Sequence, residues 1–136
     1  MNYILDTNIC IALINGSSSQ VRRRYLQATD RGPLPATSSI VAHELWYGVA
    51  KSERVPQNAK RLATFLSGAV SVLDYSEHGA EVAGEIRAEL ECRGQRIGEY
   101  DTLIAGQAFS RNLILSTANT REFARVKSLL VENWSE

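Results

Sequence analysis

Short apolar runs alternate with longer amphipathic stretches along this chain. Tyr3-Ile4-Leu5 reads as a first strand, and residues 8–14 as a short helix stopped by Asn15-Gly16. Ser17 to Ser19 can cap a second helix running to Ala28, with Val21, Tyr25 and Ala28 on one face. Pro33 and Pro35 break the next segment, after which residues 36–38 read as a strand. A third helix is expected over residues 40–50, burying Val41, Leu45 and Val49. A fourth follows Pro56, carries Ala59, Leu62, Ala63 and Leu66 at helical spacing, and stops at Gly68.

The pattern repeats in the second half. Residues 70–73 are apolar and partly β-branched, as a strand requires. Ser76 caps a long helix to Glu91 with Ala83, Ile86 and Leu90 inward; the row Glu81, Glu85 and Glu89 reads as a solvated face. A polar loop over residues 93–98 leads to a helix over 101–110, then a strand over 113–115 and a fifth over 129–131. Alternating strands and helices predict an α/β fold: a central, mostly parallel sheet of four to five strands flanked by helices on both faces. Right-handed crossovers then bring the strand ends to one edge.

Composition narrows the choices. With 136 residues the chain is expected to form one domain, residues 1–136, large enough to bury a core. Its 15 basic and 15 acidic residues cancel, so any nucleic-acid contact must come from a local patch. No apolar stretch reaches membrane-spanning length, and a strand beginning at residue 3 leaves no room for a signal peptide. Cys10 and Cys92 lie far apart without metal-type spacing and read as free thiols in a reducing cytoplasm.

Four polar residues carry the candidate chemistry: Asp6, Glu44, Asp101 and Asn119. Each lies just outside a strand or in the first turns of a helix, where active sites form in open α/β sheets. Asp6 and Asp101 could equally be helix caps, Glu44 a surface residue favoured by the helix dipole, and Asn119 a turn residue. Three carboxylates gathered at one edge would repel one another unless a hard divalent cation neutralised them, and oxygen-only donors suit Mg²⁺ or Mn²⁺. Thr117, Thr7, Ser38 and Ser39 add hydroxyls to that edge. Arg93 and Arg96 precede Asp101, and Arg121, Arg125 and Lys127 follow Asn119, which makes the loop arginines candidates for phosphate contacts. Neither a nucleophile elbow nor a GxxxxGK[ST] loop is present.

These residues fall into blocks that resemble the PIN-domain ribonucleases, and more narrowly the VapC toxins of bacterial toxin–antitoxin pairs. The blocks are Leu5-Asp6-Thr7-Asn8, then Glu44-Leu45-Trp46-Tyr47-Gly48, then Ile97-Gly98-Glu99-Tyr100-Asp101 with Ile104-Ala105. Thr117-Ala118-Asn119-Thr120-Arg121-Glu122-Phe123-Ala124-Arg125-Val126 and Val131-Glu132-Asn133-Trp134 complete the set. The resemblance implies a PIN fold and Mg²⁺- or Mn²⁺-dependent RNA cleavage. It places metal-holding acids at Asp6, Glu44 and Asp101, a fourth site position at Asn119 and a hydroxyl partner at Thr117. Asn8, Ser39, Arg93, Arg96, Arg121 and Arg125 fall on the RNA side. Asn119 in place of the family's frequent Asp leaves one negative charge fewer, and Ala118 stands where close relatives carry Asn. The approach to Asp101 and the Glu-Asn-Trp ending look most like the subgroup that cuts initiator tRNA in the anticodon stem-loop. Implied partners are a VapB-type antitoxin, a second copy of the chain as a homodimer, and operator DNA reached only through the antitoxin.

Two other classes stand beside this reading. A receiver-like phosphoacceptor domain also gathers acids at strand ends, but it requires a partner lysine that the sequence does not supply. A catalytically silent PIN scaffold would bind without cutting, and the intact acids speak against it.

Overall fold

A computed structural model describes residues 2–30 and 32–136. Five short strands, β1 (Tyr3–Leu5), β2 (Ala36–Ser38), β3 (Ser71–Leu73), β4 (Ile114–Ser116) and β5 (Val131–Glu132), form one sheet in the order β3-β2-β1-β4-β5. Every pairing is parallel. The helices are α1 (Thr7–Asn15), α2 (Ser19–Asp30), α3 (Ser39–Ala50), α4 (Val55–Gly68), α5 (Glu77–Cys92), α6 (Glu99–Ser110) and the short α7 (Thr120–Phe123).

Neighbouring residues of a strand point to opposite faces, yet Ile4 and Leu5 are both 0% exposed, so the central strand is covered on both sides. The chain moves from β1 outward to β3, then jumps back across β1 to β4. Right-handed crossovers carry α1 to α4 over one face and α5 to α7 over the other. The reversal makes the gap between β1 and β4 a topological switch point, where the two layers of helices diverge and leave a crevice. Registry fixes what lines it. Leu5 lies level with Thr37 and Ser116, and Ser116 with Glu132. The next residues along β1, β2 and β4 are Asp6, Ser38 and Thr117, at the carboxyl edge of three adjacent strands.

Most expected elements lie within a residue or two of the observed ones, and the departures have local causes. β5 covers Val131–Glu132 because pairing with Leu115 and Ser116 sets its register, while Leu130, at the centre of the apolar run, is 60% exposed. α6 starts at Glu99 with Gly98 as its N-cap, so Asp101 sits inside the first turn and does not precede the helix. In α4 the buried pair is Leu62 and Phe65, and Ala63 faces solvent. α7 escaped notice because four residues cannot display a helical period. Glu89 is also not simply solvated: it pairs with Arg93 at 2.5 Å and Lys127 at 3.5 Å.

α5 and α6 cross at Gly106, whose backbone lies directly against Ala83. A Cβ there would stand 2.6 Å from the Ala83 Cβ and 2.8 Å from its Cα and N. No flexible side-chain tip is present to yield, so Gly106→Ala must push the helices apart. It is expected to cost about 1–3 kcal/mol in urea unfolding. Gly84→Ala on α5, where an added Cβ meets nothing within 4 Å, is expected to gain about 0.5–1 kcal/mol in the same measurement.

Candidate active site

Asp6 ends β1 and caps α1, accepting a 2.8 Å hydrogen bond from the Thr7 backbone N–H on Oδ1. Its other oxygen accepts from Thr117 Oγ1 at 2.7 Å, across the β1–β4 switch point. The cap and the site are therefore one residue, not alternatives. Thr117 is fully buried, and its hydroxyl oxygen also accepts from the Asn119 backbone N–H at 3.0 Å, which sets the turn after β4. Its own N–H donates to the Glu132 carbonyl at 3.0 Å, tying the turn to β5.

Glu44 lies on the second turn of α3 and accepts a 2.9 Å bond from Thr7 Oγ1 on Oε1. Thr7 thus donates to both acids, through its N–H to Asp6 and through its hydroxyl to Glu44. Asp101 enters from the first turn of α6, half-buried. Burial pushes its carboxyl up from 3.8 to about 7, reinforced by a hydrogen bond with Glu122 and by the negative charges of Asp6, Glu122 and Glu44. The three acids expected from the sequence therefore feel one another across the crevice. A Cβ at position 98 would lie 3.3 Å from Asp101 Oδ2, so the glycine leaves that oxygen uncrowded.

Glu122 is the member that sequence reading missed. It accepts from Asn119 Nδ2 at 3.0 Å, so the fourth site position faces a carboxylate supplied by its own short helix. The signal was present: Asn119 and Glu122 occupy N-cap and third-residue positions, the spacing of a capping box. Ser38, buried, is the N-cap of α3 and accepts from the Ile40 N–H at 3.0 Å; Ser39, the neighbour expected from sequence, is the first helical residue and only half-buried. Asn8 is exposed on the first turn of α1.

The expected arginines divide. Arg93 grips Glu89 with two nitrogens, at 2.5 and 2.8 Å, and donates to the Arg125 carbonyl at 2.6 Å. Arg125 donates to the Arg96 carbonyl at 2.7 Å, and Arg96 lies 3.7 Å from Glu91. These three lock the end of α5 to the chain beyond α7. Arg121 is exposed, and among the described residues no ion pair engages it.

The donor set is oxygen throughout, which fits a hard divalent cation and not a soft one. Among the described residues, no three His, Cys, Asp or Glu side chains stand ready to hold a metal ion as placed. Instead Asp6 is turned to Thr7 and Thr117, Glu44 to Thr7, and Glu122 to Asn119. Cys10 lies beneath this floor, its thiol 3.7 Å from Thr37 Oγ1 and pushed up to about 12 by burial, which makes it unreactive. It and the exposed Cys92 are free thiols.

Residues 3–129 match the family described as PIN domain. The chain is 42% identical over 135 residues to a protein of Shigella flexneri named tRNA(fMet)-specific endonuclease VapC, covering 99% of both chains. It is 41% identical over 136 residues to Ribonuclease VapC2 of Rickettsia felis, covering all of both. Its structure is similar to a solved structure of DNA-bound VapBC from Salmonella typhimurium, with a TM-score of 0.90, 40% identity and 98% of each chain covered.

The raised Asp101 carboxyl has a sign that can be checked. An unfolded chain loses this proton near 3.8 and the folded protein near 7, so the stability the proton confers is complete below pH 4 and lost as pH rises through 7. In EDTA, thermal stability is expected to decline across that window, after subtraction of the curve for Asp101→Asn, which cannot titrate. Identical pH profiles for the two proteins would remove the electrostatic coupling of the site.

Proposed function

The chain belongs to the PIN-domain family, and within it to the VapC ribonucleases; on that premise we propose that it is a Mg²⁺- or Mn²⁺-dependent endoribonuclease, the toxin of a type II toxin–antitoxin pair. What supports this is the placement of the acids around the switch point: Thr7 bonds both Asp6 and Glu44, and Asp101, its carboxyl raised first by burial, also feels the charges of Asp6 and Glu44. Residues 1–136 act as one domain, since one sheet collects strands from residue 3 to residue 132 and one apolar cluster spans them.

Asp6 and Asp101 would hold the cation directly, with Glu44 as a third ligand or as the group that orients the attacking water. Bound there, the cation would supply charge neutralisation at the scissile phosphate and acidify that water. Thr117 fixes the Asp6 carboxylate in place, and Thr7 couples its orientation to that of Glu44. Asn119 positions Glu122 against Asp101 without adding a charge of its own. Hydrolysis by water needs no 2′-hydroxyl; with the P–O3′ bond broken and O3′ leaving, the products are a 5′-phosphate and a 3′-hydroxyl.

A tRNA substrate, specifically initiator tRNA, is supported by the name of the Shigella flexneri relative. A VapB-type antitoxin that silences the site, and operator DNA reached through that antitoxin, are supported by the DNA-bound VapBC structure. The toxin acts as a homodimer in the cytoplasm; among the described residues, no helix is long and apolar enough to cross a membrane.

A tRNA cleavage assay titrated with Mg²⁺ tests the site. Asp6→Asn is the informative variant because Asn caps a helix as well as Asp does, so charge is lost and the cap is kept. Asp6→Asn, Asp101→Asn and Glu44→Gln are each expected to slow cleavage at least ~100-fold, while all three melt as folded proteins and EDTA silences the parent. Wild-type cleavage by any one of them removes that residue from the site.

Arg121 is the arginine most open to a phosphate. In a salt titration of tRNA binding, with Asp6→Asn present to prevent cutting, Arg121→Ala is expected to flatten the log–log slope by about one unit. Arg93→Ala is expected to leave the slope as it was, because Glu89 already holds that side chain. The reverse ranking would move the RNA path toward α5.

A further inference from the structure

Tyr100 and His43 stand immediately before Asp101 and Glu44, on two different helices, and they meet. Tyr100 Oη lies 3.3 Å from His43 Nε2, and the rings pack edge to face with centroids 5.7 Å apart and planes at 73°. Each ring is carried by the residue next to an acid, so the pair lies on the two helices that supply Asp101 and Glu44. Edge-to-face packing covers at most one face of one ring. Tyr100 accordingly remains 47% exposed, and His43 is exposed as well. A long, solvent-facing hydrogen bond of this kind adds little to stability.

The row continues along α3. Tyr47 is one helical turn beyond His43 and 60% exposed, and Lys51 is one turn beyond that, its Nζ 4.8 Å from the Tyr47 ring centroid. Three aromatic rings in a line that begins beside the acids and ends at a cation are what an unpaired strand needs: bases stack on the rings and the backbone meets the charge. A neutral protein offers no general attraction for RNA, which makes such a local track the more necessary.

We infer that Tyr100, His43 and Tyr47, ending at Lys51, form a stacking ledge for unpaired RNA bases beside the cleavage site. The inference deepens the ribonuclease reading and rests on it. It selects single-stranded loops over duplex, because paired bases present no free face to a side chain. Lys51 meets the backbone at the far end of the ledge, one or more nucleotides from the cut.

The test uses the full chain with Asp6→Asn and an RNA stem-loop carrying 2-aminopurine at each loop position in turn. Stacking is expected to quench the fluorophore at one or two loop positions. Adding Tyr100→Ala should abolish that quenching and weaken loop binding by about 5- to 150-fold, with the salt slope unchanged. Tyr100→Phe, which loses the link to His43 but keeps the ring, should stay within about 2-fold of the parent. Lys51→Gln should flatten the slope by about 0.7 without affecting quenching at the position nearest Tyr100. Loop affinity unchanged in both Tyr100→Ala and Tyr47→Ala overturns the ledge. So does equal weakening of a fully paired duplex, or a loss in Tyr100→Phe as large as in Tyr100→Ala, which would assign the hydroxyl bond a structural role. A change in self-association at unaltered RNA affinity overturns it in favour of a protein-facing surface. Cleavage by the parent chain separates these outcomes from failure of the ribonuclease reading: a parent that neither binds nor cuts RNA sinks both, and one that cuts while Tyr100→Ala and Tyr47→Ala both bind as tightly sinks the ledge alone.

Discussion

Parallel pairing of β1 with β4, two strands that lie more than a hundred residues apart in the chain, is the constraint from which the site follows. It sets Leu5 opposite Ser116, so that Asp6 and Thr117, the next residues, emerge side by side with their side chains in hydrogen-bond contact. It also forces the connections to part to opposite faces, opening the crevice that α3 and α6 border. A one-residue slip would turn the Asp6 side chain toward the opposite face. Burial of Ile4, Leu5 and Leu115 opposes such a slip, because a register that exposed them would lose apolar burial on both layers. Core packing and site geometry are thus enforced by the same three-residue strands.

Within that frame the acids are held by neutral donors. Thr7, Thr117 and the Asn119 amide satisfy oxygens of Asp6, Glu44 and Glu122, yet none of them carries charge to offset the negative cluster. Asp101 bears the consequence: burial first, then a hydrogen bond with Glu122 and the charges of Asp6, Glu122 and Glu44, raise its carboxyl to about 7. Arg93 is committed to Glu89, and Arg24 to Glu132 at 2.6 Å, so neither offsets the charge of the cluster.

What could be read from the sequence divides along physical lines. Strands and long helices were legible because burial imposes a period, and their order was enough to give a parallel sheet. Asp6, Glu44 and Asp101 stand out because each lies just past a strand or in the first turns of a helix. Glu122 does not, since its importance arises from a side-chain contact with Asn119 and from facing Asp101 across the crevice, neither of which leaves a periodic trace. The separation of Arg93 from Arg121 was equally invisible: both are arginines in polar segments near the acids, and only three-dimensional placement puts Glu89 within reach of one. The register of β5 was misjudged because a short apolar run says that a strand exists, whereas hydrogen bonding to β4 decides which residues form it.

The closing edge of the sheet bears on how the protein comes into being. Trp134 is 1% exposed and meets the Tyr3 ring edge to face at 5.2 Å, so one of the first residues made packs against one of the last described. The N–H of Thr117 also finds its partner on Glu132. A ribosome-bound chain that has not yet extruded residues 131–134 therefore carries an open β4 edge and an unsecured turn beneath Asp6. Asp6 is translated early but acquires its frame late. Asp6 thus depends for its setting on residues at the far end of the sequence, which pair with β4 only after every other strand has been made.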